Sequence, residues 1–267
     1  MIAALAGVSA VIAFTAPAAA PTEPASDIEG ELVVFAAASL TEAFTAIGDE
    51  FQSEHPDTDI TFNFAASSAL VAQIREGAPA DLFASADQRN IDKLVAAGQA
   101  SSDPETFATN SLAIIVEAGN PEDIDSVDDL ADQDLVVVTC DPEVPIGRYT
   151  QDVFDAAGVE VTPDSLEESV RGIVTKVVEG EADAGLVYVT DVIAAGDGAA
   201  GIEIAADINV VAAYPIAPVA DGTNPVAAAA FTEFVLGVDG QATLADFGVD
   251  RAEAAAPDAT APDTMTA

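Results

Sequence analysis

Short all-apolar runs alternate along the chain with longer stretches in which apolar residues recur every three or four positions. The first run, LVVF at residues 32–35, is too short for a helix and apolar on both faces, which predicts a strand covered on both sides. Three alanines and Ser39 follow, and then Leu40, Ala43, Phe44 and Ile47 on one helical face. Ser39 stands at the expected N-cap, and Glu42 three residues later completes a capping-box pattern. A strand that passes through small residues into a helix leaves unpaired backbone N–H groups at the strand's carboxyl end, which suits an anion. The alanines permit close approach, and the Ser39 hydroxyl can accept from the helix while donating its own proton outward.

The same arrangement recurs. DITFNF at 59–64 alternates as a strand, Ala65, Ala66, Ser67 and Ser68 follow, and Leu70, Val71 and Ile74 mark a helix that Gly77 ends. Two such units can aim two sets of serine and backbone donors at one crevice. ADLFAS at 80–85 predicts another buried strand, followed by a helix over 86–98. SLAIIVEAGN at 111–120 predicts a strand leaving this region. The acidic stretch 121–134 lacks the ligand spacing and central glycine of a calcium loop and is expected to be a solvated helix.

LVVVT at 135–139 is an all-apolar strand running into a proline-stiffened loop and a helix over 146–157, closed by Gly158. A further helix has Ser169 and Val170 near its start and Gly180 beyond its end. The strand AGLVYVT, 184–190, carries Tyr188 near its carboxyl end, either packed in the core or aimed into a cleft as a phenolic donor. VVAAYPIAPVA at 210–220 is extended and proline-interrupted, as a crossover between lobes would be, and two helices close the pattern before residue 250. Strands alternating with helices predict α/β lobes with largely parallel sheets, and ligands in such folds sit beyond the strands' carboxyl ends.

Charge changes the picture of partners. The 267 residues hold 47 Asp and Glu against 7 Lys and Arg, a formal net charge of −40. With no basic stripe, nucleic acid and anionic membrane surfaces are poor partners, and the scattered carboxylates predict a strongly hydrated surface. A single cysteine, Cys140, rules out an internal disulfide; it is expected to be packed at a strand end. The single histidine, His55, is expected in an exposed turn. No paired carboxylates, catalytic histidine or cysteine setting, or phosphate-loop glycine pattern suggests an enzyme.

The amino terminus predicts an export signal over 1–20, with an apolar run at 2–14 and small residues at 18–20, followed by a Pro/Ala/acidic linker over 21–30. Residues 251–267 are expected to form a disordered tail.

The stretches VFAAASLTEAF, FAASSALVAQIREGAPADLFASADQ, DPEVPIGRYT, SVRGIVTKVVEGEADAGLVY and FTEFVLGVDGQATLADFGV, in this order over residues 31–249, resemble the periplasmic molybdate-binding proteins of ABC importers. The resemblance implies the two-lobed type II periplasmic binding protein fold: each lobe a mostly parallel sheet flanked by helices, with the ligand in the inter-lobe cleft. It implies one lobe over 31–109 and 214–250 and the other over 110–213. The expected ligand is a tetrahedral oxyanion, molybdate or tungstate, with sulfate as the alternative, and no cofactor. An enzyme on the same bilobal fold is a more distant alternative. By the same resemblance Ser39 and Ser67 (or Ser68 beside it) are hydroxyl and N–H donors from one lobe. Ile146 and Val170 are backbone N–H donors from the other, and Tyr188 is a phenolic donor. Arg148 and Arg171 adjoin these stretches and are expected at the surface or in support of them. The implied protein is an exported monomer, in the periplasm or on the outer face of the membrane, that delivers its ligand to permease subunits.

Overall fold

The computed structural model describes residues 28–252. The export signal, most of the linker and all but the first residues of the expected tail lie outside that range. In chain order the elements are β1 (Gly30–Ala37), α1 (Thr41–Glu54), β2 (Thr58–Ala65), α2 (Ser67–Arg75), β3 (Leu82–Ala84), α3 (Gln88–Ala96), β4 (Glu105–Glu117), β5 (Val137–Cys140) and α4 (Pro145–Ala157). Then come β6 (Ser165–Glu167), α5 (Val170–Val178), β7 (Ala184–Tyr188), α6 (Val189–Ala195), β8 (Ala199–Glu203), β9 (Val211–Pro218), α7 (Pro225–Leu236), α8 (Val238–Asp246) and β10 (Asp250–Arg251).

The strands are ordered β2-β1-β3-β9-β4-β7-β5-β6, with β8 and β10 also pairing with β4. The outer trios β2-β1-β3 and β7-β5-β6 are parallel, as βα units require. Between them β9 runs antiparallel to both β3 and β4, and β4 antiparallel to β7. Residues Glu105 to Ser111 of β4 pair with β9 on the first lobe's side, and Leu112 to Val116 pair with β7 in the second. The chain therefore crosses between lobes along two neighbouring strands. Pro215 on β9 lacks a donor, and the β4–β9 register shifts beside it, between Thr106 and Ala108, which accommodates a proline inside a sheet.

Alternation along β1 shows why both of its faces are apolar. Leu32, Val34 and Ala36 pack with Phe44, Ile47, Phe51 and Phe231, while Phe35 packs with Leu70, Ile74, Phe83 and Ile91 on the other side. The rings of Phe51 and Phe231 meet edge-on at 5.3 Å, tying α1 to α7, so the last helices return to the first lobe.

Two expectations about local structure are corrected. The chain leaves β1 through a 3₁₀ turn, Ala38–Leu40, so α1 begins at Thr41 with no side-chain cap, and Ser39 is not its N-cap. Thr41 donates to the Ala38 carbonyl instead, and Glu42 pairs with Arg171. The acidic stretch forms one 3₁₀ turn, Val127–Ala131, and not a longer helix: only Ile124, Val127 and Leu130 are buried, and aspartates are poor helix formers. Ser126 and Asp129 close that turn, and the backbone N–H of Asp125, ahead of the Ser126 hydroxyl and N–H, holds the Asp129 carboxyl below its ordinary range.

Candidate functional site

Four helical first turns point their unbonded N–H groups at one place. In α2 the first intrahelical bond runs from Leu70 N–H to the Ala66 carbonyl, so the N–H of Ser67 lies ahead of it. In α4 the first is Arg148 N–H to Val144, which leaves Ile146 ahead, since Pro145 has no N–H. In α5 it is Gly172 N–H to Ser169, leaving Val170 ahead. In the turn after β1, Ser39 precedes the Thr41 N–H bond to Ala38. Gly147 lets α4 begin tight against the end of β5: a β-carbon there would overlap the carbonyl oxygens of Asp141 and Cys140.

These turns line a cavity of about 20 Å³ between the lobes. The first lobe contributes Ala37, Ala38 and Ser39, then Ala66 and Ser67, and Ala86; the second contributes Val144, Pro145, Ile146, Val170 and Tyr188. All five residues singled out from sequence, Ser39, Ser67, Ile146, Val170 and Tyr188, lie in this wall. Ser68 does not, so of the two adjacent serines it is Ser67 that faces the space. One water needs roughly 10–15 Å³ by this measure, so the cavity suits an ion of a few atoms and excludes a sugar or peptide.

Two of the hydroxyls, those of Ser67 and Tyr188, are prepared as donors. The Ser67 oxygen accepts from the Ala86 N–H at 2.9 Å, leaving its proton for the cavity. Ser39 Oγ lies 2.9 Å from the Tyr214 hydroxyl. Tyr188 is 2% exposed, and its hydroxyl has no hydrogen-bond partner among the described residues. Burial raises the Tyr188 phenol well above its ordinary value, so it stays a neutral O–H donor. Its backbone N–H donates to Asp191 Oδ2 at 3.0 Å, which fixes the corner where β7 turns into α6. Among the described residues no charged side chain lines the cavity.

Charges gather at its rim. Arg148 on α4 pairs with Asp87, the 1%-exposed N-cap of α3, across the two lobes. Burial alone would lower the Arg148 pKa, but the Asp87 hydrogen bond and charge outweigh it, and the net shift is upward. Arg171 joins Glu42 across the same cleft, and Glu143 faces Arg89 at 3.7 Å and Lys93 at 4.0 Å. Four of the seven basic residues thus sit where the lobes meet. Sequence reading placed Arg148 and Arg171 outside the cavity wall, where they are, but did not find their partners. Tyr214 and Asn110 were also missed.

Cys140 is buried at the end of β5, and burial pushes its thiol up, as expected of a packed residue. His55 follows α1, half-buried, with its ring 4.5 Å from that of Phe51. Among the described residues no group of His, Cys, Asp and Glu is placed to hold a metal ion.

A family model for bacterial extracellular solute-binding proteins matches residues 32–250. The chain is 40% identical over 232 residues to the molybdate-binding protein ModA of Mycobacterium tuberculosis, covering 87% of this chain and 88% of that one. Among solved structures, the periplasmic molybdate-binding protein of Azotobacter vinelandii superposes with a TM-score of 0.73 at 20% identity, over 83% of this chain and 100% of that one. The sulfate-binding protein SubI of Mycobacterium tuberculosis superposes with a TM-score of 0.77 at 21% identity, over 84% and 88%. At such identities the superpositions establish the shared fold, and that fold carries more than one oxyanion.

Proposed function

The chain belongs to the bacterial extracellular solute-binding proteins, and from that premise we propose that it captures molybdate, or tungstate, in the cavity between its lobes and delivers it to the permease of an ABC importer. The carrying observation is a small cavity walled by uncharged donors, in which the Tyr188 hydroxyl is buried with no partner among the described residues and the Ser67 proton is free. In this reading Ser39 and Ser67 donate through hydroxyl and N–H, Ile146 and Val170 through backbone N–H, and Tyr188 through its phenol. Residues 31–109 with 214–250 and residues 110–213 close as two bodies about β4 and β9. The 40% identity to ModA of Mycobacterium tuberculosis supports the choice of oxyanion.

A dianion can enter a protein of net charge −40 because distant carboxylates are screened, with a Debye length of about 8 Å at physiological salt. Binding is decided by the donors in contact, at about 1.5–3 kcal/mol for each charge-assisted bond. A wall of donors without acceptors rejects a protonated oxyanion, whose O–H would face another donor. Choice against sulfate then rests on cavity size. The protein acts outside the cytoplasmic membrane, as a monomer and as a carrier, with no catalytic constellation required.

Titration calorimetry with molybdate, tungstate and sulfate at neutral pH tests this. Tight, stoichiometric binding of molybdate or tungstate with sulfate far weaker is expected; preference for sulfate, or no binding of any of them, overturns it.

A further inference from the structure

Behind Ser39 runs a chain of buried polar side chains that belongs to neither the cavity wall nor the rim. Asn110 on β4 donates from Nδ2 to Thr190 Oγ1 at 2.9 Å and to the Tyr214 hydroxyl at 3.3 Å. Tyr214 on β9 in turn lies 2.9 Å from Ser39 Oγ. All four residues are buried, with Asn110 1% and Tyr214 0% exposed. Thr190 belongs to the second lobe, Asn110 and Tyr214 to the two crossover strands, and Ser39 to the first lobe, so the chain spans the connection between lobes.

From this order we infer that Tyr214, oriented by Asn110, is a positioning residue that turns Ser39 into a pure donor toward the bound oxyanion. The inference rests on the reading of the cavity as an oxyanion site. The amide nitrogen is a donor only, so the Tyr214 oxygen must accept from it. The phenolic proton is then left for Ser39 Oγ. The Ser39 oxygen is occupied as an acceptor, and its own proton has only the cavity to serve. Were the Asn110 amide reversed, Tyr214 would donate to Oδ1, Ser39 would donate to Tyr214, and a serine lone pair would face the anion. The direction of one buried amide thus sets the polarity of a hydroxyl two hydrogen bonds away. Ser67 reaches the same state by a different route, accepting from a backbone N–H.

The test is a double-mutant cycle read by molybdate titration calorimetry, with Tyr214→Phe, Ser39→Ala and both together. Tyr214→Phe is expected to weaken molybdate binding about tenfold in the parent, the worth of one hydrogen bond, and by less than twofold in the Ser39→Ala background. A tyrosine that merely supports the fold would weaken binding equally in both, and that additive result overturns the relay while leaving the site intact. If Ser39→Ala alone leaves affinity unchanged, the oxyanion site itself is wrong and the relay falls with it. Thermal melts of the ligand-free variants establish folding; should Tyr214→Phe fail to fold, Asn110→Ala takes its place in the same cycle with the same expected coupling.

Discussion

Arg148→Met separates lobe closure from fold stability. The buried Asp87 carboxylate receives the Asn90 N–H at 2.9 Å, the Asn90 amide at 3.1 Å and the Arg148 guanidinium, while the Ser85 hydroxyl nearby donates to the Asp87 carbonyl at 2.8 Å. Losing the only partner of a buried ion costs about 3–5 kcal/mol, but two donors on Asp87 survive here. The loss is therefore closer to one charge-assisted bond, about 2 kcal/mol. Asp87 and Arg148 lie on opposite lobes, so the loss falls on the closed form, and an open form returns Asp87 to water. Molybdate affinity is expected to drop about 30-fold by calorimetry, while the urea midpoint of the ligand-free protein stays put. An unchanged affinity would refute the reasoning. So would an equal loss of ligand-free stability, which would make the pair part of the fold and not of closure.

Tyr188→Phe removes a hydroxyl that is buried with no partner among the described residues. Calorimetry should show molybdate binding weakened about 10- to 150-fold, whereas the ligand-free melting temperature should hold or rise, since a desolvated polar group has been removed. Asp191 is buried, and burial raises its carboxyl to about 7 against an ordinary 3.8, with the Tyr188 N–H and Arg171 opposing the shift. The folded form therefore holds this proton more tightly than the unfolded chain does, and stability falls as pH rises from about 4 to about 7 and levels off above. Asp191→Asn should remove that slope, gaining up to about 4 kcal/mol over the parent by pH 7 in urea titrations. A stability difference between the two that does not change with pH contradicts this.

Part of the cavity wall was legible from local signals: a strand, small residues and a helix start are contiguous in sequence, and the unit occurs twice, so the serines after β1 and β2 stood out together. Ile146, Val170 and the choice of Ser67 came from the family resemblance and not from local pattern. Tyr188 was legible as a polar residue at the carboxyl end of an apolar strand, although the unpartnered state of its hydroxyl was not. What local pattern could not show is pairing across the fold. Ser39 reads as a helix cap until Tyr214, 175 positions away, is found on its oxygen. Asp87 and Arg148 are 61 positions apart and meet only when the lobes do. β6 and β8, with the sequences SLE and AAGIE, have no apolar run of their own; they are strands because β5 and β4 offer them free edges. Asn110 gives no local sign at all, since a polar residue on a long strand is ordinary.

The central claim is that neutral hydroxyl and amide donors, with no cation in contact, hold a doubly charged oxyanion. It is tested most directly by measuring molybdate affinity in the Ser39→Ala, Ser67→Ala double variant. Two charge-assisted bonds at about 1.5–3 kcal/mol each predict a loss of between about two and four orders of magnitude. A folded double variant that binds molybdate as tightly as the parent would contradict the account.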